Sequence, residues 1–132
     1  MNDGTRFIPP EVRLNQANFR LKEWYRGIGI EAIDGDTIYV WVLANEKPAS
    51  LLPIRVRLFA IDAPEMRSKN EEERVRARRS KEQLHELVSL KWLTLYLPGQ
   101  KSFDRYLGWG WAEDLNLSHA MVDLGLAEYK EY

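Results

Sequence analysis

A chain of 132 residues fits one domain, with or without a terminal arm, and can bury a core without disulfides or a structural metal. Its 45% apolar and 30% charged residues exclude a disordered chain, and its longest apolar runs fall far short of a membrane span. Cysteine is absent and His85 and His119 are the only histidines, which excludes disulfides, thiolate metal sites and a cysteine nucleophile and argues against a histidine-rich metal centre. The net charge of −1 hides an asymmetry: residues 66–81 hold seven bases against three acids, so that segment is +4 and the remainder −5. A basic patch on an acidic body points to a polyanion bound at one place.

Residues 1–24 read as an arm, because Pro9–Pro10 bars a helix and polar residues break any period. Met1–Asn2–Asp3–Gly4 has neither a basic nor an apolar leader region, so no secretory signal is expected and the reading leans to the cytoplasm. From Tyr25 onward the pattern predicts a folded domain over 25–132. Gly27–Ile33 is a first strand, Asp34–Gly35–Asp36 a turn, and Thr37–Leu43 a second strand with Ile38, Val40 and Val42 on one face. Asn45–Pro53 is expected to be a loop. Ile54–Ile61 is a third strand, with Ile54, Val56, Leu58 and Ala60 inward and Arg55 and Arg57 outward.

Glu72–Val88 has helical spacing, with Ala77, Ser80, Leu84, Leu87 and Val88 on one stripe and the arginines on the other sides. Leu90–Leu97 is a fourth strand and Tyr106–Ala112 a short aromatic fifth. Asn116 caps a final helix whose buried stripe is Leu117, Ala120, Met121 and Leu124, and Gly125 ends it. Three strands, a helix, two strands and a helix predict an α+β domain built on a five-stranded OB-fold-like β-barrel.

The chemistry concentrates in Ile33–Thr37 and Arg57–Glu65. Asp36 and Asp62, carboxylates at strand ends without thiols, suit a hard oxygen-seeking cation such as Ca²⁺. Arg57, on a polar strand face, suits a phosphate. Glu65, past a proline turn, could take a proton from water. Each feature also has a plainer reading, Asp-Gly-Asp as a solvated turn and Arg57 as a snorkelling surface arginine. Together they supply a metal site, a phosphate clamp and a base, which a purely structural account does not require.

These segments resemble the staphylococcal nuclease (thermonuclease) family: IDGDT at 33–37, RVRLFAIDAPE at 55–65, FDRYLGW at 103–109 and LNLSHAMVDLGLAEY at 115–129, in the family's order over roughly residues 25–130. The resemblance implies Ca²⁺ held by Asp36, Asp62 and the backbone carbonyl of Ala63, where the family often has threonine. It implies Arg57 and Arg105 as phosphate contacts and Glu65 as general base. Arg105 follows from an ungapped match in which Phe103 and Leu107 also align and Asp104 stands where the family has glycine. Tyr129 and Tyr132 are candidates for base stacking, in a register that differs from the family's.

The implied activity is hydrolysis of DNA or RNA, preferring unpaired strands, to 5′-hydroxyl and 3′-phosphate ends. Arg67, Lys69, Arg76, Arg78 and Arg79 are expected to contact the nucleic acid, against the plainer reading of a solvated helix face with pairs such as Glu72–Arg76. Trp41, Trp92, Trp109 and Trp111 could stack bases, against a reading in which most are core or half-buried barrel residues. His85 and His119 are expected to be surface or packing residues. Two alternatives stand beside the nuclease: a non-catalytic nucleic-acid-binding barrel, and a protein-interaction subunit of a phage or mobile-element system that docks through the arm.

Overall fold

The computed structural model describes residues 23–46, 49–99, 101–102 and 105–131. The expectations placed on the arm up to residue 22, on Phe103, on Asp104 and on Tyr132 lie outside the described residues, whereas Trp24, read as the last residue of the arm, opens the first barrel strand. Strand β1 (Trp24–Asp34) pairs with β2 (Thr37–Glu46), and β2 with β3 (Ala49–Leu58), all antiparallel. A short β4 (Ile61–Asp62) follows, then helix α1 (Glu71–Val88) and β5 (Trp92–Tyr96). Next come β6 (Lys101–Ser102), β7 (Arg105–Ala112), β8 (Leu115–Asn116), helix α2 (Leu117–Asp123) and β9 (Glu128–Tyr129). The sheet order β3-β2-β1-β5-β7 closes on itself because β7 also pairs with β3, in parallel. The result is the expected five-stranded mixed barrel with two helices.

Alternation builds the barrel interior: Ile38, Val40 and Val42, Ile54, Val56 and Leu58, and Leu93, Leu95 and Leu97 are all buried. Asn70 caps α1, its side-chain oxygen accepting from the Glu73 N–H at 3.0 Å, and three glutamates follow in the first turn, where the helix dipole favours them. Ala77, Ser80, Leu84 and Val88 form the buried stripe as expected, with Leu87 half-buried. At its C-terminal end α1 lies directly on β1: the Gly29 N–H donates to Lys91 O at 2.9 Å, and the Leu90 N–H to Gly29 O at 2.8 Å. The imidazole of His85 accepts from the Ala32 N–H at 3.3 Å, beside an irregularity in the β1–β2 register.

Three local expectations are corrected. The segment Asn45–Pro53 belongs largely to a long hairpin, β2 reaching Glu46 and β3 starting at Ala49. Pro53 is tolerated in β3 because it pairs only with Trp41 of β2, while β7 joins β3 from Arg55 onward, so the missing N–H breaks no ladder. The third strand ends at Leu58, not Ile61: Ala60 has φ 74°, which turns the chain before β4. Leu124 is 53% exposed rather than buried, because α2 stops at Asp123 and Leu124 is its C-cap. Gly125 then takes φ 75°, its N–H bonds Val122 O, and the Leu126 N–H bonds Met121 O, the double bond of a Schellman ending. Leu126 packs on the core where Leu124 was expected to.

Candidate active site

The chain reversal between β1 and β2 sets the first carboxylate. Asp34 Oδ1 accepts from the Asp36 N–H at 3.0 Å, an Asx turn that aims Asp36 inward. Gly35 is required here for space: a Cβ would lie 2.6 Å from the Cβ atoms of both Ala63 and Ser80. The turn therefore seats against α1 and against the loop after β4. From that loop the Ala63 N–H donates to Asp36 Oδ2 at 2.8 Å, and Thr37 Oγ1 donates to Asp36 Oδ1 at 3.3 Å.

Arg57, at the end of β3, ties the turn to β4. Its Nη1 donates to Leu58 O at 2.9 Å and Ile61 O at 2.8 Å, and its Nη2 to Asp62 Oδ1 at 2.6 Å. The same Nη2 lies 3.6 Å from Asp36 Oδ2, so one guanidinium bridges both carboxylates. The parallel pairing of β3 with β7 sets Arg57 opposite Leu107 and Arg55 opposite Arg105. Arg105 thereby reaches the site, its Nη1 donating to Thr37 Oγ1 at 3.1 Å. Asp36, Arg57, Asp62, Ala63, Glu65 and Arg105 all line one cleft of about 660 Å³.

Asp34, Thr37 and Lys130 are part of this arrangement without having been singled out. Asp34 and Thr37 flank Asp36 within the IDGDT motif, which was the available signal. Lys130 had no local signal. The pairing of β9 with β4, with the Lys130 N–H donating to Ala60 O at 2.7 Å, brings its ammonium to 3.7 Å from Asp62 Oδ1.

The loop carrying Glu65 is anchored to α1: the Glu65 N–H donates to Glu73 Oε2 at 3.1 Å, and Arg74 Nη1 to Ser68 O at 2.8 Å. The N–H of Glu65, and then Ser68, hold the Glu73 carboxyl below its ordinary range. The basic run divides by helical geometry. Arg76 and Arg79, three residues apart, line a second cleft of about 390 Å³ with Asp62, Ala63 and Ser80. Arg78 is exposed on α1 and does not line that cleft, Arg67 and Lys69 are exposed on the Glu65 loop, and Arg74 serves the loop itself.

Burial, then the neighbouring Asp34 carboxyl, pushes Asp36 up from 3.8 to about 6, while Arg57 and the Ala63 N–H pull the other way. The folded state thus keeps the Asp36 proton longer than the unfolded chain does, and this group's effect on stability worsens as pH rises from about 4 to 6. Asp36→Asn is expected to be more stable than the parent at pH 7.5 by about 1–3 kcal/mol, with the gain gone below pH 4, in urea unfolding with chelator present.

Among the described residues no group of three or more His, Cys, Asp or Glu side chains is gathered as a metal cage. The donors at hand, Asp36, Asp62 and the backbone around Ala63, are hard oxygens beside a carboxylate whose charge is only partly compensated. They fit a cation such as Ca²⁺ that keeps much of its water. A family model described as staphylococcal nuclease homologue matches residues 55–132, more than half of the chain. The chain belongs to the staphylococcal nuclease homologue family. The matched part begins in β3 and contains Arg57, Asp62, Glu65 and Arg105, while Asp36 precedes it. No significant match is found among curated proteins. Members of this family are typically nucleases, so the chain is a nuclease-type or nucleic-acid-binding domain. No helix among the described residues is long and apolar enough to cross a membrane.

Proposed function

We propose that the domain over residues 25–132 is a Ca²⁺-dependent nuclease that hydrolyses phosphodiester bonds of DNA or RNA, favouring unpaired strands and leaving 3′-phosphate and 5′-hydroxyl ends. One observation carries the reading: Arg57 joins Asp36 and Asp62 into a single network on the cleft that Glu65 and Arg105 also line. Ca²⁺, when held by Asp36, Asp62 and the Ala63 carbonyl, supplies neutralisation of a phosphate oxygen. Arg57 then exchanges its grip on Asp62 for the scissile phosphate, and Arg105 contacts a second oxygen of the same group. Glu65, exposed at the mouth of the cleft, takes the proton of the attacking water. Arg76 and Arg79 meet flanking phosphates in the neighbouring cleft, with Arg67, Lys69 and Arg78 as more distant charge.

The test is cleavage of a fluorescent single-stranded DNA with Ca²⁺ and with excess chelator, with Glu65→Ala in parallel. Cleavage that requires Ca²⁺ and drops by about two decades or more in Glu65→Ala is expected. A folded protein that binds the strand and leaves it whole would instead be a binding module.

A further inference from the structure

All five tryptophans of the chain, Trp24, Trp41, Trp92, Trp109 and Trp111, lie on the outer side of the barrel. The core does not use them: Tyr106 is the one aromatic among the described buried residues. Trp24 is 61% exposed and Trp92 51% exposed, a placement that serves packing poorly and marks a contact surface. Strand pairing gathers four of them, Trp41 standing apart on β2. Tyr96 stands opposite both Trp24 and Trp109, Thr94 opposite Arg26 and Trp111, and Trp92 opposite Ile28. The Trp24 ring lies 4.9 Å from Tyr96 and 5.4 Å from Trp111, centre to centre.

Two features select the occupant. Cations are interleaved with the rings: the Arg26 guanidinium sits 5.7 Å over Trp92, and Arg26, Lys91 and Trp92 line a groove of about 660 Å³ in which Glu113 is the acidic residue. The surface is also continuous with the cleft. On β7 the buried Tyr106, Gly108 and Gly110 alternate with Arg105, Leu107, Trp109 and Trp111, so the arginine and leucine that line the cleft share a face with the two tryptophans. That row runs from Arg105 to Trp111, about 20 Å at the rise of a strand. Flat rings alternating with cations match a chain of bases alternating with phosphates.

We infer that the outer face of β1, β5 and β7 is a second contact surface for single-stranded nucleic acid, on which the strand stacks its bases as it leaves the cleft. The identity of the strand rests on the nuclease reading of the cleft. The test measures binding of fluorescein-labelled oligothymidylates of about four and about sixteen nucleotides, in excess chelator so that they stay intact. The parent should bind the longer strand much more tightly, with quenching of its tryptophan fluorescence. Trp24→Ala/Trp92→Ala should lose about tenfold or more for the longer strand. Trp24→Leu/Trp92→Leu, which keeps apolar bulk and protects folding, should lose most of that affinity too.

Variants that bind the longer strand within twofold of the parent, or parent fluorescence that does not respond to it, would overturn the inference. Self-association that both variants abolish, with strand affinity unchanged, would give the face to a second copy and also overturn it. A protein that does not cleave with Ca²⁺ but loses long-strand affinity in both variants would sink the nuclease reading and leave the surface standing.

Discussion

Arg57→Ala is expected to lower kcat/KM on single-stranded DNA by about two decades or more and to cost about 2–3 kcal/mol of stability. The two losses have one origin. The guanidinium holds two backbone carbonyls at the β3–β4 turn and bridges two carboxylates, and its side chain is only 12% exposed. Removing it leaves Asp36 with like charge nearby and no cation of its own, and unties the loop that leads to Glu65. The stability loss is moderated because Asp62 is 53% exposed and is also approached by Lys130. Arg57→Lys keeps the charge but not the fork. An ammonium cannot keep Leu58 O and Ile61 O while exchanging Asp62 for a phosphate, so this variant should stay at least about tenfold below the parent. Kinetics under conditions where circular dichroism reports a folded chain separate the rate effect from unfolding.

Gly29→Ala should be the most damaging glycine-to-alanine change among the described residues. A Cβ at Gly29 would sit 2.1 Å from Val88 O and 2.9 Å from Val88 C, both backbone atoms at the end of α1. No rotamer relieves that overlap. The helix end must lift, and the two hydrogen bonds joining Gly29 to Leu90 and Lys91 go with it. A loss of about 3 kcal/mol or more is expected, read as a fall in the urea midpoint. Gly125→Ala makes the contrast. Its Cβ would meet nothing within 4 Å, but φ 75° disfavours it, so about 1 kcal/mol is expected. One glycine is there for room and the other for a dihedral angle.

Much of the architecture could be read from residue order, because the barrel strands alternate cleanly and α1 carries both a cap and a stripe. The site was readable for a different reason: Asp36, Arg57, Asp62 and Glu65 lie within two short segments whose spacing survives translation into strands and turns. Pro53 misled because a proline breaks a ladder only where the side its nitrogen faces is paired, and that is a property of the finished sheet. Ala60 has no residue-level sign of its positive φ. Leu124 kept helical spacing with Leu117 and Met121, but the helix ended before the period returned it to the core. Lys130 reaches the cleft only through the β4–β9 pairing, which no local pattern announces. Of Trp41, Trp92, Trp109 and Trp111, most of which were expected to be core or half-buried, Trp109 and Trp111 are half-buried while Trp41 and Trp92 are exposed: the interior is filled mainly by aliphatic side chains of β2, β3, β5 and the two helices, with Tyr106 alone among the large rings of the described residues.

The parallel pairing of β3 with β7 joins residues some fifty positions apart, Arg55 with Arg105 and Arg57 with Leu107. This seam completes the cylinder, and it is the same seam that brings Arg57 and Arg105 onto one cleft. Closing so long a loop costs more chain entropy than forming the β1–β2 and β2–β3 hairpins. A chain whose seam is still open has Arg57 on β3 but has not yet brought Arg105 to the cleft. On the nuclease reading proposed above, competence to cut would arrive with closure of the cylinder.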